Sequence, residues 1–223
     1  MEAVSSLTQL FPVPVAIAVA DTDMYNAPLY PEELNAVKRA VPKRYREFAA
    51  GRAAARQALN SLGIGPVAIP TNADRTPRWP ADIIGSISHC DDFCVAAVGL
   101  RTEAMGLGID VEQRGPLDSR TLPLVCDAQE LSHLVAMERL TGADMSKVAF
   151  CAKEAFYKCC FPLSGVVLDF REVSLKLSAE TQISGSFSIA PKITYTPTSA
   201  GRLVGRWLLT DSLVVAAATL MHR

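Results

Sequence analysis

The chain opens with an apolar run, LFPVPVAIAVAD, that stops at Asp21, and its second half, residues 13–20, predicts a strand. Pro31 opens a short helix over PEELNAVKRA, which Pro42 ends. The Ala- and Arg-rich stretch KRYREFAAGRAAARQALNSLG predicts a long second helix with Gly63 as its stop. Residues 70–82 form a Pro-rich loop, and IIGSISHCDDFCVAAVGL reads as strand, turn, strand. GLGIDVEQRG, residues 106–115, predicts another strand, with Ile109 and Val111 on one face and Asp110 and Glu112 on the other. Taken alone, that pair of acids fits an edge strand with its polar face in water. Helices are expected over 127–140 and 144–161, the latter with Asp144 as N-cap and Pro162 as stop. Strand-like runs follow at 170–177, 186–195, 203–210 and 213–220. Helices and strands are mixed rather than strictly alternating, so the fold class is α+β.

Two segments echo each other. DDFCVAAVGL from residue 91 and DSLVVAAATL from residue 211 share five of ten positions. FAAGRAAAR from 48 resembles FCAKEAFYK from 150, with Arg56 opposite Lys158 and Arg52 opposite Glu154. Both echoes run in the order helix then strand. They predict a pseudo-dimer of two similar halves, residues 1–103 and 104–223, each a small, mostly antiparallel sheet packed on a long helix. A site at their junction follows naturally.

Composition narrows the class. The 223 residues are 49% hydrophobic and 20% charged, enough for a real core. A net charge of −1 lacks the broad positive field that nucleic-acid binding needs, so no nucleic-acid partner is expected. No segment has the length of a membrane span, and the opening run has neither the basic start nor the Pro-free core of a secretion signal. Six cysteines form no Cys-x-x-Cys pair, and three histidines are too few for an obvious zinc site. Their apolar settings mark the thiols as small core residues of a cytoplasmic protein.

The chemistry lies in four groups of residues. Glu154 and Lys158 stand at i and i+4 on one face of a largely apolar helix. An exposed helix-face pair is the plain reading. If Glu154 instead faces Asp110 and Glu112, three hard oxygen donors converge, a set suited to Mg²⁺ with room left for phosphate. Ser86, Ser88 and His89 fall at a strand end, and Ser88 and His89 are suited to hold a phosphate. Arg44, Arg46, Arg52, Arg56 and Arg75 form a basic set, and arginine favours bidentate phosphate contacts.

LGIDVE at 107–112 and FCAKEAFYK at 150–158 together resemble the paired motifs of 4′-phosphopantetheinyl transferases, with Phe150 where Trp is also found. KRYREFAAGRAAAR and DRTPRWPADIIGSISH resemble the bacterial enterobactin-type branch, so the likeness spans roughly residues 40–160. It implies an enzyme that moves the phosphopantetheine arm of coenzyme A onto a serine of an apo acyl or peptidyl carrier protein. Arg44 and Arg52 would meet the 3′-phosphate, and Arg75 would lie near the adenine. Ser88, His89 and Lys158 would hold the pyrophosphate. Asp110, Glu112 and Glu154 would hold Mg²⁺ or Mn²⁺. Glu154, Lys158 and His89 would serve catalysis, with Glu154 as general base. A monomer is expected. A metal-dependent nuclease or phosphohydrolase and a non-catalytic carrier-binding module are the competing readings.

Overall fold

A computed structural model describes residues 2–193 and 200–223. The elements are α1 (Glu2–Thr8), β1 (Ala16–Val19), α2 (Pro31–Leu34), α3 (Pro42–Ser61), β2 (Ile83–Cys90), β3 (Phe93–Leu100) and β4 (Gly106–Gln113), followed by α4 (Leu122–Val125), α5 (Ala128–Thr141), α6 (Ser146–Ser164), β5 (Val173–Ala179), β6 (Ser184–Pro191), β7 (Arg202–Leu209) and β8 (Leu213–Met221). One antiparallel sheet has the order β1-β3-β2 and the other β4-β8-β7-β6-β5. In each, the strand that precedes the long helix pairs with the last strand of its sheet, β1 with β3 and β4 with β8. The α+β pseudo-dimer is therefore the architecture, and the echoed segments occupy equivalent places: α3 and α6, β3 and β8.

A second equivalence was not visible in the sequence. Glu33 and Glu130 are both buried, and each carboxylate reaches back to the backbone N–H that precedes its own helix, at Tyr30 and Asp127. Each also accepts a backbone N–H from further along the chain, Glu33 from Ile69 at 2.8 Å and Glu130 from Leu175 at 2.7 Å. Each is neutralised by its half's long helix: Arg56 lies 2.9 Å from Glu33, and Lys153 lies 2.8 Å from Glu130. A buried carboxylate needs this pairing, because an isolated one would cost several kcal/mol.

The helix limits differ in two places. Pro42 starts α3 rather than merely ending its predecessor, because proline suits the first helical position, where no N–H is required. Pro162 lies inside α6, which runs on to Ser164 and stops at Gly165 with φ 64°. Asp144 sits two residues before α6 and accepts the N–H and hydroxyl of Ser146. The strand expected at 186–195 is seen as Ser184–Pro191, and residues 194–195 lie outside the described residues. All six cysteines are buried and free. Among the described residues, no helix is long and apolar enough to cross a membrane.

The two sheets meet along β2 and β4. Side chains make the joint there: Ser86 Oγ accepts the Ile109 N–H at 3.1 Å, and Ser88 Oγ accepts the Val111 N–H at 3.3 Å. Leu107, Ile109 and Val111 face a shared core with Ile84, Val95 and Ala97 of the first sheet, over which Leu7, Leu10 and Phe11 are packed.

Candidate active site

The other face of β4 carries Gly106, Gly108, Asp110 and Glu112. It meets α6 rather than water, which corrects the expectation of a solvated polar face, although β4 does stand at the edge of its sheet. The two glycines let the helix lie directly on the strand. A Cβ at Gly108 would fall on the Ala155 carbonyl and only 2.7 Å from Cys159 N, and one at Gly106 would fall on the Cys159 carbonyl. This close seat brings Asp110 and Glu112 under the stretch of α6 that bears Glu154 and Lys158.

Asp110 is buried. Its Oδ1 accepts the Lys158 ammonium at 2.6 Å and the Ser88 hydroxyl at 2.9 Å. Its Oδ2 is buried without a geometrically formed hydrogen bond among the described residues. The weakly donating Cys151 thiol stands beside the carboxylate; burial, then the Asp110 charge, pushes that thiol up. Lys158 also donates to Ser88 Oγ at 2.9 Å. Burial, then the Asp110 charge, pushes the carboxyls of both Glu112 and Glu154 above their ordinary range. Crowded acids of this kind favour either protonation or a cation between them. Among the described residues no three carboxylate, histidine or cysteine groups are gathered closely enough to hold a metal as they stand. The expected convergence is thus electrostatic rather than a finished cage: the Asp110 charge raises both glutamates, while Lys158, and at Glu112 also Lys147, offsets it. An orphaned buried oxygen beside two acids with raised pKa is a donor set that fits a hard divalent cation.

A cavity of about 1160 Å³ opens beside this cluster between the halves. Arg44, Arg52, Arg75, Ser88, His89, Asp110 and Lys158 all line it, whereas Arg46, Arg56, Glu112 and Glu154 do not. Glu154 borders a smaller groove of about 130 Å³ with Val167, Leu168 and Phe170, and Tyr157 lines both spaces.

The basic residues differ in their freedom. Arg56 is bound to Glu33 and to the Pro28 carbonyl, so it belongs to the core rather than to a phosphate site. Arg52 is buried over the Phe48 ring at 4.2 Å; its Nε donates to the Ile69 carbonyl at 2.7 Å and its Nη2 to Thr71 Oγ1 at 2.9 Å. Burial lowers its pKa to about 10. It frames the 69–71 segment and keeps Nη1 and the second N–H of Nη2 for a ligand. Arg44 is exposed and lies 2.6 Å from His89 Nε2. A guanidinium only donates, so Nε2 accepts and His89 carries its proton on Nδ1. Burial keeps His89 below its usual range, with Glu47, 3.7 Å away, pulling the other way. Ser88 reaches the cavity, and in this arrangement its one proton goes to Asp110.

Sequence reasoning missed Glu47, Arg78, Arg101 and Tyr157 of the cavity wall. Glu47 stands three residues after Arg44 on α3, and that spacing was the available signal; its Oε2 lies 3.6 Å from Arg44.

Residues 26–99 match the 4′-phosphopantetheinyl transferase N-terminal domain, and residues 106–216 match the 4′-phosphopantetheinyl transferase superfamily. The chain is 38% identical to 4′-phosphopantetheinyl transferase Svp of Streptomyces mobaraensis, over 85% of this chain and 77% of that one. It is 32% identical to 4′-phosphopantetheinyl transferase Npt of Nocardia iowensis, over 84% and 90%. It is 30% identical to 4′-phosphopantetheinyl transferase PptT of Mycobacterium tuberculosis, over 96% and 97%.

Proposed function

Because the chain belongs to the 4′-phosphopantetheinyl transferase superfamily and so transfers the phosphopantetheine arm of coenzyme A to a carrier-protein serine, we propose that it does so in the cavity between its halves. The observation that carries this reading is the placement of Asp110, whose Oδ2 is buried and unpartnered among the described residues, on the wall of a cavity that also bears Arg44, Arg75, His89 and Lys158.

Residues 1–103 supply most of the coenzyme A contacts, and residues 104–223 supply the acids and the catalytic helix. Arg44 meets the 3′-phosphate, with Arg52 Nη1 behind it. Arg75, exposed on its loop at φ 71°, lies along the adenine side. Asp110, Glu112 and Glu154 would hold Mg²⁺, with Mn²⁺ as a substitute, and the ion would supply charge neutralisation for the pyrophosphate. Lys158 and the Nδ1–H of His89 bind and orient the phosphate oxygens. Glu154 takes the proton from the carrier serine Oγ; its raised pKa brings it closer to the working pH of a general base. The serine oxygen forms its bond to the pantetheine-bearing phosphorus as the bond to 3′,5′-ADP breaks. Lys158 and His89 meet the charge left on the departing phosphate. Positioning and charge carry most of the catalysis in a phosphoryl transfer, and this wall offers both.

Six buried free thiols support a reducing cytoplasmic setting, and the intramolecular junction supports a monomer. Incubation with coenzyme A, Mg²⁺ and an apo carrier protein tests the reading. Holo carrier and 3′,5′-ADP are expected, and a carrier left unmodified would contradict it.

A further inference from the structure

Ser86 and Ser88 do work that a strand ladder would do elsewhere. β2 and β4 run side by side without pairing through their backbones, and the two hydroxyls span the gap. Ser86 Oγ accepts from Ile109 N and lies 3.4 Å from the Ile109 carbonyl. Ser88 Oγ accepts from Val111 N, two residues on along the same strand. Both residues are nearly fully buried, at 4% and 3% exposure, at the wall of the cavity. Ser86 stops at the backbone. Ser88 goes further, because its proton is directed at Asp110 Oδ1 and its lone pairs also face Lys158 Nζ.

This asymmetry decides which oxygen of Asp110 is left over. Oδ1 receives two donors, Ser88 and Lys158, and is saturated. Oδ2 receives none among the described residues. A carboxylate free to turn about χ2 would point its second oxygen in many directions; the Ser88 hydroxyl, anchored in turn on the Val111 N–H, holds the carboxylate plane together with Lys158 and so fixes where that oxygen points. The anchor belongs to β2, in the half that carries most of the coenzyme A contacts. The acid belongs to β4, in the other half.

We propose that Ser88 is a positioning residue: it fixes Asp110 so that Oδ2 faces a divalent cation, and it thereby ties the placement of the metal acids to the coenzyme A half. Ser86 is its companion in the seam, setting the register of β2 against β4 without touching an acid. This inference rests on the functional reading above, and it replaces direct phosphate binding as the role of Ser88.

The test is calorimetric titration with Mg²⁺ at saturating coenzyme A, together with steady-state kinetics, for wild type, Ser88→Ala, Ser88→Cys and Ser86→Ala. Groups that orient a metal ligand typically affect metal affinity or activity by about 10- to 100-fold. Ser88→Ala is therefore expected to weaken Mg²⁺ binding and lower kcat by about tenfold, while KM for coenzyme A stays within about twofold. Ser88→Cys keeps a weak donor at the same branch and is expected to fall between the two; it carries the comparison if the alanine variant does not fold. Ser86→Ala is expected to lower the melting temperature without changing Mg²⁺ affinity. A raised KM for coenzyme A with unchanged Mg²⁺ affinity in Ser88→Ala would overturn the proposal in favour of phosphate contact. Equal Mg²⁺ affinity in wild type, Ser88→Ala and Ser88→Cys would overturn it as well, while leaving the metal reading intact. Wild type that takes up no Mg²⁺ would overturn the metal reading and this proposal together.

Discussion

Lys158 and Asp110 form an ion pair that uses only half of the carboxylate: Nζ lies 2.6 Å from Oδ1, while Oδ2 stays buried and unpartnered among the described residues. The ammonium therefore neutralises the acid without filling its coordination. Lys158→Met leaves Asp110 charged and uncompensated. Breaking a buried pair costs about 3–5 kcal/mol, and the partial exposure of Lys158 reduces this to about 1–3 kcal/mol. The metal-free variant is expected to melt at a lower temperature, and added Mg²⁺ is expected to recover part of the loss. An unchanged melting temperature in chelator would show that the pair contributes nothing.

The raised carboxyls of Glu112 and Glu154 make a second prediction, about pH. Both have an ordinary value of 4.5 that burial, then the Asp110 charge, raises in the folded protein. Below 4.5 these groups are protonated in both states and cost nothing. As pH rises past that value the unfolded chain ionises first, so the unfolded state gains and the stability contributed by these groups falls. The fall ends once pH has passed the folded values. In chelator, the stability advantage of Glu154→Gln over wild type should therefore grow between pH 4.5 and neutrality. Urea unfolding across that range measures it. An advantage that shrinks with rising pH would mean that Glu154 is stabilised as an anion.

The arginines separate by ligand. A hydrogen bond to a charged group contributes about 1.5–3 kcal/mol, so Arg44→Ala should weaken coenzyme A binding by about 10- to 100-fold. The same variant should barely change the binding of 3′-dephospho-coenzyme A. Arg52→Ala should weaken both ligands and also lower the melting temperature, because Ile69 and Thr71 lose their donor. Calorimetry with both ligands and both variants closes a double-difference cycle. Equal loss for the two ligands in Arg44→Ala would remove it from the 3′-phosphate.

Much of this site could be read from residue spacing. Asp110 and Glu112 alternate with Ile109 and Val111, so a shared face was evident, and Glu154 and Lys158 share a helix face for the same kind of reason. What covers that face was not evident, because it depends on Gly106 and Gly108 admitting α6, a contact between segments some fifty residues apart. Arg56 looked like its neighbours in the basic set. Only the fold shows that Glu33 claims it, since Glu33 comes from another helix. The serine joint was hidden likewise: Ser86 and Ser88 act on a strand whose position beside them no local pattern specifies.

The close seat of α6 gives a fourth prediction. Gly108→Ala places a methyl group on the Ala155 carbonyl, and both partners are backbone. Overpacking of this kind typically costs about 1–3 kcal/mol and more where nothing can yield. The variant should be at the upper end of that range or fail to accumulate as soluble protein, as circular dichroism melting would show. A melting temperature equal to wild type would mean that the helix does not rest on the strand.

The central claim is that Glu154 acts beside Asp110 in moving the phosphopantetheine arm to a carrier serine. The most direct test is the intact mass of an apo carrier protein followed over time with coenzyme A and saturating Mg²⁺, using wild type and Glu154→Gln. Wild type should add one phosphopantetheine to the carrier and release one equivalent of 3′,5′-ADP. Loss of a general base typically costs about 10²–10⁴-fold, so the glutamine variant, folded and equally able to bind coenzyme A, should be slower by about 10²-fold or more. Glu154→Gln that modifies the carrier at the wild-type rate, or wild type that cleaves coenzyme A while the carrier mass stays unchanged, would contradict it.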